Sequence, residues 1–291
     1  MAQPLQVKRS DVVRGLVELG IRRGSLVMVH SSLSAIGRVD GGPDAVVDAF
    51  LDVIGPDGTL VVPTFTYPAD CPAARDPDWI FDPAETPSGM GAISDAVRRR
   101  PQARRSIHLW HSVAAIGPLA DRITSAGGPS AWDSQSPMAW TFRNGGWLLL
   151  LGVSYQSLTA IHIWEVAFEV DYRHDYDVER RMRGSDGRVI PLVSRVHDRV
   201  EGHLGSDFNR FGRRLEDAGL VQIGHVGNAV ARFFSSRDAY EMAQVMYRED
   251  KCVFLKKMEG FTSLAYGRAI QNAKGSQCVV DPALVFATPS T

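Results

Sequence analysis

The chain has 291 residues, 44% of them hydrophobic and 22% charged, with a formal net charge of −1. This balance provides an extensive core, excludes disorder as the default and offers no global field that would gather nucleic acid, the arginine clusters at 98–105 and 180–183 being short enough for solvated helix faces. No stretch reaches the roughly 18–20 uncharged apolar residues that cross a bilayer, and the N-terminal MAQPLQVKRSDVV lacks the apolar core of a signal peptide, so no membrane partner and a cytoplasmic location are expected.

Ser10 and Asp11 precede apolar residues at Val12, Val13, Leu16, Val17 and Leu19, which predicts a capped helix ending near Gly20. A β-branched run over 25–30 predicts a buried strand that delivers His30, Ser31 and Ser32 to its carboxyl end. After a turn over 36–43, the spacing of Val46, Val47, Phe50, Leu51 and Ile54 predicts a helix, and 59–65 a second strand. Strand, helix and strand in this order form a parallel βαβ unit, which sets the polar tips HSS and PTFTY at one sheet edge, the natural ligand crevice.

Residues 68–90 are rich in Pro and Asp and predict a binding loop or lid. Cys71 lies there; with Cys252 and Cys278 it makes an odd, scattered set without CxxC spacing, so neither a disulfide framework nor a thiolate metal site is expected. Met90, Ile93 and Val97 mark a helix, 112–116 a strand, 118–144 helices and turns, and 148–153 another buried strand. A helix then runs through residue 165 to about 170, followed by a hairpin turning at Ser185, Asp186 and Gly187. Further on, 207–219 reads as a helix, 221–226 as a short strand, and 227–246 contains further helix. The expected architecture is one α/β domain over 1–266, layered α/β/α around a central mixed, partly parallel sheet, with a smaller β-rich insertion around 172–205 and a C-terminal tail over 267–291.

The most informative segment is LLLLGVSYQSLTAIHIWE at 148–165, a strand passing through Gly152 into a polar turn and a helix presenting Thr159, His162 and Glu165. Residues three apart share a helix face, so the Glu165 carboxylate can bias the His162 imidazole toward general-base work. Asp198 and Glu201 are alternative carboxylates for that task. A competing reading takes His108, His111 and His162 as ligands of a metal-dependent hydrolase, although HxxH in an extended segment points its rings in different directions and no metal is expected. There is no GxxxxGK[ST] or GxGxxG pattern, which disfavours nucleotide sites of those kinds, and no GxSxG elbow for an acyl-enzyme.

Several segments together, LVMVHSSLSAIGRVDGG, FDPAETPSGMG, SIHLWHSVAAIGP, LLLLGVSYQSLTAIHIWE and DFNRFGRRLEDAGLVQIGHVGNAVARFF, give a chain that resembles the aminoglycoside 3-N-acetyltransferase family over roughly residues 10–240. The resemblance implies an antibiotic N-acetyltransferase that moves an acetyl group from acetyl-CoA, as co-substrate, to the 3-amino group of an aminoglycoside or to a related small amine by direct transfer. It implies His162 as general base with Thr159 and Glu165 as partners. It further implies cofactor-facing walls made by His30, Ser31, Ser32 and Leu33, by Thr86, Ser88 and Met90, and by Ser112 at the pantetheine end. A non-catalytic CoA-binding relative is the third reading, and the oligomeric state, monomer or homodimer, is left open. The near-neutral charge and HLW where the family usually has HP depart from what a polycationic acceptor rewards. A local acidic cluster is expected among Asp70, Asp76, Asp78, Asp82, Glu85, Glu169, Asp171, Asp175 and Asp177.

Overall fold

The computed structural model describes residues 6–69, 71–200 and 205–256. In chain order the elements are β1 (Gln6–Val7), α1 (Arg9–Glu18), β2 (Leu26–Ser31), α2 (Leu33–Ile36), β3 (Arg38–Val39), α3 (Gly42–Ile54), β4 (Thr59–Pro63), β5 (Ile80–Phe81), α4 (Ala92–Arg98), β6 (Arg104–Arg105), β7 (Val113–Ile116), α5 (Ala120–Thr124), α6 (Pro137–Arg143), β8 (Trp147–Leu151), α7 (Ile161–Ala167), β9 (Arg173–Arg183), β10 (Val189–Arg199), α8 (Phe208–Asp217), β11 (Gln222–Val226), β12 (Ala229–Ser235) and α9 (Ser236–Glu249). Seven strands form the central sheet in the order β11-β12-β8-β2-β4-β7-β6. Its heart, β8-β2-β4, is parallel, and the outer strands pair antiparallel.

Period-two alternation along the buried strands builds two cores, one on each face of the sheet. Val27, Val29, Leu149 and Leu151 pack with Leu16 of α1, Phe50 of α3 and Val97 of α4. Met28, Leu148 and Leu150 pack on the opposite face with Phe142 of α6, Trp164 of α7, Leu215 of α8 and Tyr240 of α9. The result is the expected α/β/α sandwich around a mixed sheet. Gly152, with φ of 69°, turns the chain off β8 at a place where a Cβ would lie 2.4 Å from the Cβ of Ala35. Only glycine fits that turn without displacement.

Several boundaries differ from the sequence expectations. The first helix is capped earlier in the chain: the Lys8 backbone N–H donates to Asp11 at 3.0 Å, making Asp11 the third helical residue rather than part of the cap. The helix bearing His162 ends at Ala167, and Glu169 then takes a left-handed φ of 50°, so the helix does not reach residue 170. The stretch expected to contain further helix does so in α9, but it opens with β12, a strand inside the sheet that the sequence reading does not anticipate. Arg232 at its centre masks the strand pattern, and that side chain is satisfied by Glu216 at 2.7 Å.

The hairpin expected as an insertion is β9–β10, with Gly187 at its turn in a left-handed conformation (φ 79°). With β5 it makes a separate three-stranded sheet, ordered β10-β9-β5. It is tied back to the body where Ser130 bridges Arg195 and the Arg195 N–H donates to the Pro129 carbonyl at 2.7 Å.

Candidate active site

Parallel strands β2 and β8 lie side by side in a register that pairs His30 with Leu150 and Ser31 with Leu151. Their carboxyl ends therefore open on one edge, and the chain leaving β8 continues through Thr159 into α7. Thr159 lies in the turn ahead of the helix, not on it, and its carbonyl accepts the His162 N–H at 3.0 Å. The Thr159 Oγ1 is buried and has no hydrogen-bond partner among the described residues.

His162 and Glu165 share a face of α7 as the spacing predicts, with Nδ1 of the ring 2.7 Å from Oε2 of the carboxylate. Glu165 has 0% exposure, an expensive place for a carboxylate unless it is paired. The pairing is double, because Arg173 at the start of β9 brings its Nε to 2.6 Å from the same Oε2. Burial pushes Glu165 toward protonation, but the charge and hydrogen bond of His162 and the charge of Arg173 outweigh it and hold the carboxyl below its usual range. A carboxylate held ionised fixes the proton of His162 on Nδ1, which leaves the Nε2 lone pair as the basic site.

The imidazole sits in an aromatic box. Trp132 meets it edge-on with ring centroids 5.0 Å apart, Phe208 lies at 5.6 Å and the His197 ring at 6.4 Å. This dry setting draws the His162 pKa below the ordinary histidine value, against the upward pull of Glu165. His197 occupies β10 directly opposite Asp175 of β9, its Nδ1 2.6 Å from that carboxylate and its Nε2 3.9 Å from Glu165 Oε2. Trp132 is positioned by Ser130, whose hydroxyl accepts the Trp132 and Asp133 N–H groups at 3.1 and 3.2 Å. Trp132, Arg173, His197 and Phe208 escape sequence reasoning, since each reaches the site only after distant segments fold together.

Of the alternative carboxylates, Asp198 is engaged elsewhere, accepting from the Tyr176 hydroxyl at 3.3 Å and from the Arg199 N–H at 2.7 Å, whereas Glu201 lies outside the described residues. Much of the expected acidic cluster is neutralised pair by pair, Asp78 by Arg181, Asp82 by Arg183 and Asp177 by Arg195. Asp70 lies outside the described residues, as does Cys278.

The metal reading loses its ligands. Nδ1 of His108 accepts the backbone N–H of both Trp110 and His111, at 3.2 and 3.0 Å, and Nε2 contacts the Arg195 carbonyl of β10 at 3.3 Å, so both ring nitrogens are engaged. His111 is enclosed by Phe65, Tyr67 and Trp132, with burial driving its pKa far down. Among the described residues no group of three or more His, Cys, Asp or Glu side chains is arranged to hold a metal ion.

The residues expected to face the cofactor divide into two sets. His30 Nε2 and Ser31 Oγ, at the end of β2, are buried polar atoms without hydrogen-bond partners among the described residues, and burial takes His30 down to about 4. Ser32 Oγ meets Ser34 Oγ at 3.0 Å, while Leu33 packs on the core beside α1 and α3. In the second set the polar groups are spent internally. Thr86 Oγ1 accepts the Asp82 N–H at 2.9 Å, Ser88 Oγ accepts the Met90 N–H at 3.1 Å, and Met90 itself packs against the core. Ser112 is fully buried, its Oγ 3.0 Å from Thr64 Oγ1 and accepting from Arg105 Nε at 3.0 Å. Its hydroxyl is thus engaged with its neighbours in the seam between β4 and β7.

Comparison with known proteins agrees with this geometry. The sequence pattern described as aminoglycoside 3-N-acetyltransferase matches residues 28–248. Aminoglycoside N(3)-acetyltransferase IV of Salmonella sp is 32% identical over 259 residues, covering 87% of this chain and 92% of that protein. The solved aminoglycoside acetyltransferase AAC(3)-Xa is similar with a TM-score of 0.73 and 31% identity, over 84% of this chain and 93% of its own. A histidine-to-alanine mutant of AAC(3)-IVa in complex with a gentamicin gives a TM-score of 0.75 at 28% identity, over 92% of this chain and 99% of that one. With the family pattern spanning most of the length and a relative 32% identical over nearly the whole of both proteins, the chain belongs to the aminoglycoside 3-N-acetyltransferase family and is an acyltransferase.

Proposed function

We propose that this protein transfers an acetyl group from acetyl-CoA directly to an amine, the 3-amino group of an aminoglycoside or of a related small amine, with His162 as general base. The observation that carries the reading is the 2.7 Å contact of His162 Nδ1 with a wholly buried, doubly paired Glu165, which leaves Nε2 as the proton acceptor. Acetyl-CoA supplies the acyl carbon, activated by a thiol leaving group. His162 Nε2 takes the proton from the acceptor nitrogen as its lone pair forms the new bond to that carbon. Glu165 stabilises the imidazolium that results, and the same Nε2 then returns the proton to the departing sulfur, which keeps the electron pair of the broken carbon–sulfur bond. Thr159, whose hydroxyl has no partner among the described residues, donates to the carbonyl oxygen as charge builds there.

The fit to a CoA co-substrate is supported by His30 Nε2 and Ser31 Oγ, buried polar atoms without partners among the described residues where β2 ends beside β8. The gentamicin complex of AAC(3)-IVa supports an aminoglycoside acceptor. Asp175, held by His197 close to the His162–Glu165 couple, is the carboxylate best placed to meet an ammonium group of such a ligand. The test is thiol release from acetyl-CoA across a panel of aminoglycosides and simpler amines. Wild-type protein is expected to release thiol only with acceptor present, and His162→Ala to lose on the order of a hundredfold or more of kcat. Acceptor-dependent release at the wild-type rate by His162→Ala overturns the assignment.

A further inference from the structure

The base of the β9–β10 hairpin reaches the His162–Glu165 couple through Arg173 and His197. Arg173 opens β9 with its side chain 5% exposed, and its Nε rests on the oxygen of Glu165 that also receives His162 Nδ1. Its Nη1 donates to the His197 carbonyl at 3.4 Å and its Nη2 to Ser206 Oγ at 3.5 Å. One planar guanidinium therefore spans α7, β10 and the segment leading into α8, whose first residue, Phe208, walls the imidazole.

Other ionisable groups face the couple from every side: His197 and Asp175 from the hairpin, His111 from the turn before β7, and Tyr172 just ahead of β9. Burial draws His197 and His111 below their ordinary range, so neither is a standing positive charge at neutral pH. Among the described residues Arg173 is the permanent cation at ion-pair distance from Glu165.

We propose that Arg173 is a positioning residue of the reaction: by sharing Oε2 it keeps Glu165 ionised and aimed at Nδ1, and it prevents the His162–Glu165 couple from taking up a proton near neutrality. The proposal rests on the reading of His162 as general base. Its logic is electrostatic. A fixed cation beside the pair opposes the arrival of a further proton on either member, so the pair stays in its base-competent form at pH 7 whichever atom titrates. Without that cation the couple protonates at higher pH and the base is withdrawn.

The experiment follows the ring protons of His162 by NMR across pH, assigned by their loss in His162→Gln, alongside the pH profile of kcat/KM. In Arg173→Met the midpoint of His162 is expected to rise by about one pH unit or more, the scale for losing a charge at this range, with the acid limb of the profile rising equally. Arg173→Lys, which restores a point charge without the planar fork, is expected to bring the midpoint back toward wild type while kcat stays depressed. If Arg173→Met fails to fold, Arg173→Gln removes the charge while keeping a donor and carries the same expectation. An unchanged or lowered midpoint in a folded neutral variant, or a lysine variant that titrates like the neutral one, overturns the proposal. Full turnover by His162→Gln would instead defeat the general-base reading, and the titration would still judge Arg173.

Discussion

Trp132 and the ring of His162 meet edge to face at 69° with centroids 5.0 Å apart, and the same indole also neighbours His111, at 4.9 Å. Trp132 is 2% exposed, so this contact seals the imidazole from water on that side. Desolvation is the largest influence on the His162 pKa, which makes Trp132 a determinant of when the base is free.

Trp132→Ala is therefore expected to let water reach the ring and raise the His162 pKa toward its ordinary value of about 6.5. The acid limb of kcat/KM against pH moves upward in that variant and stays in place in Trp132→Phe, which keeps an aromatic wall. The alanine variant also loses about 3–5 kcal/mol of stability through the cavity it leaves. A profile identical to wild type in Trp132→Ala would show that the indole does not control solvation of the base.

Acid should destabilise the fold through histidines that are buried neutral. His30 and His108 both fall from 6.5 to about 4 on burial. Between those values the unfolded chain binds the proton and the folded chain does not, so the stability each residue confers is complete above pH 6.5 and drains away as pH falls toward 4. Each accounts for on the order of 3 kcal/mol across that window. Urea midpoints measured from pH 7.5 to 4.5 are expected to fall steadily, and His108→Gln to start lower but decline less steeply. Flat midpoints over the range would contradict the neutral burial of both rings.

Ser112→Ala separates scaffold from pocket wall. Removing the hydroxyl strips partners from Arg105 Nε and Thr64 Oγ1 in the buried seam between β4 and β7. The expected loss is about 1–3 kcal/mol in thermal or chemical melts, the cost of leaving buried polar groups unpaired, with kcat per folded molecule unchanged. A drop in kcat or a rise in the KM for acetyl-CoA without a change in melting would return Ser112 to the substrate wall.

Much of the scaffold can be read from the chain because its signals are local. The alternation in β2, β4 and β8 and the i, i+3, i+4 spacing in α1, α3 and α4 each lie within one short window, and the His162–Glu165 contact spans three residues of one helix. What escapes is non-local. β12 carries Arg232 at a position where a strand pattern calls for an apolar residue, and only the facing Glu216 of α8 explains it. Arg173 and His197 look like surface charge on a hairpin until β9 and β10 close on α7. The two histidines of HxxH look like ligands until His108 is seen to bind the turn that contains them. Spacing reports which side chains share a face, not which distant cation or indole will arrive to complete it.

A hairpin that leaves the main body is usually the part of an enzyme that evolution lengthens, trims or exchanges most freely. The β9–β10 arm divides sharply in that respect. Its outer reach is held by the Asp186–Arg188 bond at the turn and by pairing of residues 181–182 with β5, whereas its root carries the clamp on Glu165. Grafting a relative's arm to change acceptor preference would succeed or fail at that root: a transplant that preserves Arg173, Asp175 and His197 in register alters the rim alone, and one that slips by a single residue turns all three to the wrong face and silences the enzyme.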